Sequence, residues 1–116
     1  MKPRILLVDD DDAVRELCVE VLDFAGYEVV AAWRGEDALA RLLAGERFAA
    51  LVTDQSMAGL SGDALIAQAG VLAPGMPCLL MTGHGESVRT AIDVPVLRKP
   101  FRTAQLAAIV AELVAP

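Results

Sequence analysis

Two hydrophobic periods alternate along the chain. Ile5-Leu6-Leu7-Val8 is a continuous apolar run, the pattern of a strand buried on both faces. Val14, Leu17, Cys18, Val21, Leu22 and Ala25 then recur at helical spacing, which predicts an amphipathic helix stopped by Gly26. Glu28 to Ala32 reads as a second strand, and Ala38, Leu39, Leu42 and Leu43 mark a second helix closed by Gly45. Ala50-Leu51-Val52-Thr53 is a third strand. Gly59 and Gly62 punctuate a loop before a short helix around Ala64 to Ala69. Pro74-Gly75-Met76-Pro77 introduces a fourth strand from Cys78 to Met81. The segment from Glu86 to Ile92 has room for at most about two helical turns. Val94 to Arg98 reads as a fifth strand, and Thr103 can cap a last helix carrying Leu106, Ile109, Val110 and Leu113.

Strands alternating with helices in this way predict an α/β fold, a parallel sheet with helices on both faces. Right-handed crossovers make a doubly wound sheet the leading topology, and ligands in such sheets sit beyond the carboxyl ends of the strands. The 116 residues suit one domain, expected to span 1–116, with no linker or repeat. Hydrophobic residues make up 55% and charged residues 22%, which excludes intrinsic disorder. The longest apolar run, Leu106 to Ala111, is too short to span a bilayer, and Met1-Lys2-Pro3-Arg4 opens no secretory signal. Cys18 and Cys78 lie apart in apolar stretches and read as buried thiols in a reducing compartment.

Ten basic against sixteen acidic residues give a net charge of −6, which argues against direct nucleic-acid binding. Four of those acids are consecutive, Asp9 to Asp12, so the acidity is concentrated in one place. The predicted strand ends carry the rest of the chemistry. The first is followed by Asp9 and Asp10, the third by Asp54, the fourth by Thr82 and the fifth by Lys99. Three carboxylates, a hydroxyl and an ammonium are thereby aimed at one sheet edge. Carboxylates gathered so closely repel, and a hard divalent cation such as Mg2+ offsets that. A lysine beside the metal supplies the second positive charge a phosphoryl group needs. The set fits metal-assisted phosphoryl transfer with an aspartate as acceptor. Helix capping explains Asp11 or Asp12 but not Asp54 and Lys99.

These residues resemble the receiver domain of two-component response regulators over the whole chain. The resemblance rests on Ile5-Leu6-Leu7-Val8-Asp9-Asp10, on Leu51-Val52-Thr53-Asp54 with Met57-Ala58-Gly59-Leu60-Ser61-Gly62 behind it, on Met81-Thr82-Gly83 and on Leu97-Arg98-Lys99-Pro100-Phe101. It implies a flavodoxin-like five-stranded sheet of order 2-1-3-4-5 with a shortened fourth helix. It implies Asp54 as phosphoacceptor, with Asp10 holding Mg2+ directly, Asp9 through water, and the Ser56 carbonyl completing the protein ligands. Thr82 would hydrogen-bond the phosphoryl group, Lys99 would pair with its charge, and Lys99–Pro100 would be cis. Ser56 and His84 would border the attacking water and tune phosphoryl lifetime, although His84 also reads as an exposed loop residue. Three features depart from the family pattern: Ala58 where proline is usual, Val96 where an aromatic switch residue is usual, and a short stretch from Thr82 to Lys99. The last two fall on the face normally used for output.

The implied function is a phosphorelay receiver taking a phosphoryl group from a partner's phosphohistidine, on a histidine kinase or a histidine phosphotransfer domain. It is a stoichiometric acceptor with self-dephosphorylation rather than an enzyme, cytoplasmic, off the membrane, and a monomer or weak dimer. Ending after its last helix, the chain is expected to be a single-domain regulator or the receiver of a longer protein such as a hybrid histidine kinase. Two alternatives stand beside it. One is a phosphorylation-independent pseudo-receiver. The other is a Mg2+-dependent aspartyl-phosphate hydrolase, which needs a second acid two residues after the nucleophile, where this chain has Ser56. Trp33 and Phe48 read as packing aromatics, and Phe101 as an anchor for the loop after Pro100.

Overall fold

A computed structural model describes residues 2–83 and 92–115. The elements run β1 (Arg4–Val8), α1 (Asp12–Phe24), β2 (Glu28–Ala32), α2 (Gly35–Leu43), β3 (Ala50–Asp54), α3 (Gly62–Leu72), β4 (Cys78–Thr82), β5 (Val96–Arg98) and α4 (Thr103–Val114). The strands form one sheet of order β2-β1-β3-β4-β5, and every pairing is parallel. The register aligns the strand ends: Val8 lies beside Ala32 and Thr53, Asp54 beside Met81, and Thr82 beside Arg98. That alignment brings residues distant in sequence to one edge.

The central strands are apolar throughout because both faces are covered. Ile5, Leu7, Val52, Leu79 and Met81 point to one side and pack with Cys18 and Leu22 of α1 and Leu106 and Val110 of α4. Leu6, Val8, Leu51 and Leu80 point to the other and pack with Ala38 and Leu42 of α2 and Leu65, Ile66 and Ala69 of α3. Each alternate side chain thus feeds a separate core layer. Both cysteines are buried, and burial pushes each thiol up to about 11, so neither is a reactive thiolate at neutral pH. Among the described residues no helix is long and apolar enough to cross a membrane.

Several boundaries differ from the expectation. The helix expected around Ala64 to Ala69 runs from Gly62 to Leu72. It buries Gly62, Asp63, Leu65, Ile66 and Ala69, so polar and small positions share the buried face and blur its period. The fifth strand is only Val96–Arg98, starting after Pro95, whose nitrogen cannot donate to a ladder. Thr103 is the first residue of α4 rather than its cap; Arg102 is the cap residue, its N–H donating to Gln105 Oε1 at 2.7 Å. The shortened fourth helix expected between β4 and β5 lies almost wholly outside the described residues, as does His84. Phe48 packs as expected, on the α2–α3 layer with the Arg4 guanidinium 4.7 Å from its ring centre. Trp33 does not: it is 58% exposed, just past the end of β2. Phe101 packs against the α1–α4 layer.

Candidate functional site

The four consecutive aspartates take four different positions. Asp9 follows β1 and is fully buried; its N–H donates to the Ala32 carbonyl (3.1 Å), carrying the β1–β2 ladder one residue further. Its Oδ1 accepts the Asp11 N–H at 3.0 Å. Asp10 is exposed at the rim. Asp11 caps α1, its Oδ1 accepting the N–H groups of Ala13 (3.0 Å) and Val14 (3.2 Å). Asp12 stands in the first turn, where negative charge suits the helix dipole. Arg15 ties the run together, donating to the Asp9 carbonyl at 3.0 Å and to Asp12 Oδ1 at 2.5 Å.

Asp54, the last residue of β3, is 3% exposed. One oxygen each from Asp9, Asp10 and Asp54 lie within 4.8 Å of one another. At an effective dielectric of about 20, each such pair of charges repels by on the order of 3–4 kcal/mol. Lys99 relieves part of it: Nζ donates to Asp54 Oδ1 at 2.9 Å and reaches Asp9 Oδ2 at 3.4 Å. Burial raises the Asp9 carboxyl above its usual range, against the pull of the Asp11 N–H and Lys99. For Lys99 burial acts downward, yet the hydrogen bond and charge of Asp54, with Asp9 behind it, outweigh it and hold the ammonium above its ordinary value. One ammonium among three carboxylates leaves negative charge in excess, and the all-oxygen donor set suits a hard cation.

Thr82 ends β4 with 3% exposure, and among the described residues its Oγ1 has no hydrogen-bond partner. Buried hydroxyls are normally satisfied, which sets Thr82 apart among the described residues at the strand ends. The Thr82 carbonyl accepts the Lys99 N–H at 2.7 Å, which fixes Lys99 beside it, and the Lys99–Pro100 peptide is cis. Ser56 is exposed beyond Asp54, and Val96 lies 45% exposed opposite Leu80 on the edge strand.

Three features of the site lie in no side-chain motif. A Cβ on Gly62 would sit 2.2 Å from the Asp54 carbonyl oxygen and 2.8 Å from Leu80 Cδ1, so only glycine lets α3 approach the end of β3. Gln55, 6% exposed, holds α3 from the other direction: its carbonyl accepts the Gly62 N–H at 3.0 Å and its Oε1 the Asp63 N–H at 2.8 Å. Finally, the Ala58 N–H donates to Asp10 Oδ2 at 3.3 Å. The glycine was legible as loop punctuation; the backbone donors carried no signal.

Fold and site together define an open parallel α/β protein with an acidic, lysine-paired pocket at the carboxyl edge of its sheet. The response regulator receiver domain profile matches residues 5–111, and the chain belongs to that family. It is 36% identical over 117 residues to the response regulator protein FleR of Pseudomonas aeruginosa, covering 96% of this chain and 24% of FleR. Against the transcriptional regulatory protein FixJ of Bradyrhizobium diazoefficiens it is also 36% identical over 117 residues, covering 94% of this chain and 55% of FixJ. The chain thus spans between a quarter and about half of these curated relatives. A response regulator receiver protein from Sinorhizobium medicae superposes with a TM-score of 0.89 at 29% identity, over 97% of this chain and 94% of that one. The receiver domain of the hybrid histidine kinase CckA superposes with a TM-score of 0.82 at 31% identity, over 96% and 98%.

Proposed function

We propose that this receiver domain accepts a phosphoryl group onto Asp54 from the phosphohistidine of a histidine kinase or histidine phosphotransfer domain. The observation that carries the reading is the buried Asp54 carboxylate paired with Lys99 at 2.9 Å and grouped with two further carboxylates, with the Thr82 hydroxyl, unpartnered among the described residues, at the end of the neighbouring strand. In the transfer an Asp54 oxygen forms the new P–O bond, the P–N bond to the donor imidazole breaks, and the imidazole leaves with the electron pair and takes up a proton. Lys99 loses its Asp54 contact as that charge moves outward, and its ammonium follows onto the phosphoryl oxygens. The Thr82 hydroxyl donates to a phosphoryl oxygen.

Asp10, Asp54 and the Ser56 carbonyl would hold Mg2+ directly and Asp9 through water. The cation, when bound, neutralises charge on the phosphoryl oxygens and the clustered carboxylates. Exposed Ser56, two residues after Asp54, borders the path of the water that returns Asp54 to its free state; His84 is proposed to share that role. Because release is hydrolysis of its own adduct, the chain acts stoichiometrically. Residues 1–116 are proposed as one receiver unit, working in the cytoplasm as a monomer or weak dimer.

Ser56 also weighs against the hydrolase reading, which needs an acid at that position. The complete set of Asp9, Asp10, Asp54, Thr82 and Lys99 weighs against a pseudo-receiver. Incubation with an autophosphorylated histidine kinase separates these readings: phosphoryl appears on this chain as it leaves the kinase. No transfer from any kinase, with no labelling by small phosphodonors, favours the pseudo-receiver.

A further inference from the structure

The β3–α3 loop is fastened on both sides of the pocket. On one side it lies against the start of α2. Gly59 has φ +80°, and a Cβ there would meet Glu36 Oε2 at 2.5 Å, while Leu60 crowds Gly35. On the other side the Ala58 N–H reaches Asp10 Oδ2 at 3.3 Å, joining residues 48 apart in sequence. Asp9 and Asp54 are held by buried surroundings and by Lys99. Asp10 is exposed, and among the described residues the Ala58 N–H is the one donor to its carboxylate. An exposed aspartate without that contact is free to rotate into solvent, away from the two buried carboxylates. With it, the three oxygens already stand within 4.8 Å.

We infer that the main-chain N–H of Ala58 is a positioning group for Asp10, holding its carboxylate turned into the pocket so that a divalent cation meets three assembled carboxylates. The inference rests on the receiver reading of the pocket. Ordering Asp10 beforehand removes a cost that the cation would otherwise bear on binding. The loop also suggests how to delete the donor cleanly. Gly59 has φ +80°, the value a type II turn takes at its third position, and proline is favoured at the position before it, here Ala58. Ala58→Pro therefore removes the N–H while suiting the turn, and proline there also restricts the unfolded chain. Ala58→Gly keeps the N–H and loosens the turn.

The test is Mg2+ titration by calorimetry, with melting measured in a chelator. Ala58→Pro is expected to bind Mg2+ about three- to tenfold more weakly, the worth of one long, solvent-exposed hydrogen bond, while melting no lower than wild type. Ala58→Gly is expected to melt lower yet bind Mg2+ within about twofold of wild type. In labelling with a small phosphodonor, Ala58→Pro should shift the Mg2+ concentration for half-maximal rate by the calorimetric factor, with a far smaller change at saturating Mg2+. An unchanged affinity in Ala58→Pro, or an equal loss in Ala58→Gly, overturns the inference. Should Ala58→Pro fail to fold, the metal-free wild-type amide decides: slowed Ala58 hydrogen exchange that is lost in Asp10→Ala supports the contact, and exchange equal in both overturns it. Wild-type protein that neither binds Mg2+ nor labels sinks the receiver reading instead.

Discussion

Thr82→Val should make the unphosphorylated, metal-free protein more stable while damaging its chemistry. The Thr82 side chain is buried, and among the described residues its hydroxyl finds no partner. Such a hydroxyl costs about 1–3 kcal/mol in lost hydration. Valine has nearly the same shape, so the substitution removes the orphan oxygen without opening a cavity, and β-branching keeps the strand propensity. The expected gain is about 1–2 kcal/mol, corresponding to a Tm raised by roughly 3–6 °C per kcal/mol in a chain of this size. Urea unfolding in a chelator is the assay, with the slope m unchanged so that the shift in midpoint reads stability alone. In phosphodonor labelling the same variant should be slower by on the order of 10–100-fold, because it lacks a donor aimed where charge develops. A Thr82→Val protein destabilised by about 1 kcal/mol or more at unchanged m would refute the reasoning, because it would mean the hydroxyl already has a partner in solution.

Three further outcomes follow from the same geometry. Mg2+ at 100 times its Kd should stabilise the wild type by about 2.7 kcal/mol; Asp10→Asn should bind it far more weakly yet melt no lower than wild type without metal, because repulsion among three carboxylates is relieved, and a clearly lower metal-free Tm contradicts this. Burial raises the Asp9 carboxyl above 3.8, so the folded state holds that proton more tightly than the unfolded chain: the stability of metal-free wild type relative to Asp9→Asn should be greatest below that value and fall as pH rises through the folded-state pKa, and a difference that grows with pH rejects the account. Val96 is small, stiff and exposed at the edge strand, so a phosphoryl mimic should shift the amides near Ser56 and Thr82 much more than those from Val96 through α4; equal shifts along Ala104 to Leu113 show an ordinary switch.

Much of this molecule is written in side-chain patterning. β2 has the predicted bounds, and Asp9, Asp54, Thr82 and Lys99 stand together because each follows or ends an apolar run whose register the sheet aligns. The extent of α3 was hidden because its buried face mixes Gly62 and Asp63 with leucine and isoleucine, which breaks the helical period. Trp33 misled because an aromatic at a strand end reads as core, whereas β2 is one of the two edge strands and Trp33, just past its end, is exposed. Gln55 holding the first turn of α3 and Ala58 reaching Asp10 escaped notice for one reason. Both bonds use main-chain donors, and every residue but proline carries the same N–H.

The central claim is that Asp54 is the phosphoacceptor. Intact-mass measurement after treatment with a small phosphodonor and Mg2+ tests it most directly. Wild type should gain the mass of one phosphoryl group, with fragmentation placing it on Asp54, and Asp54→Asn should gain none. Equal labelling of Asp54→Asn, or a wild type labelled elsewhere in the chain, would contradict the account.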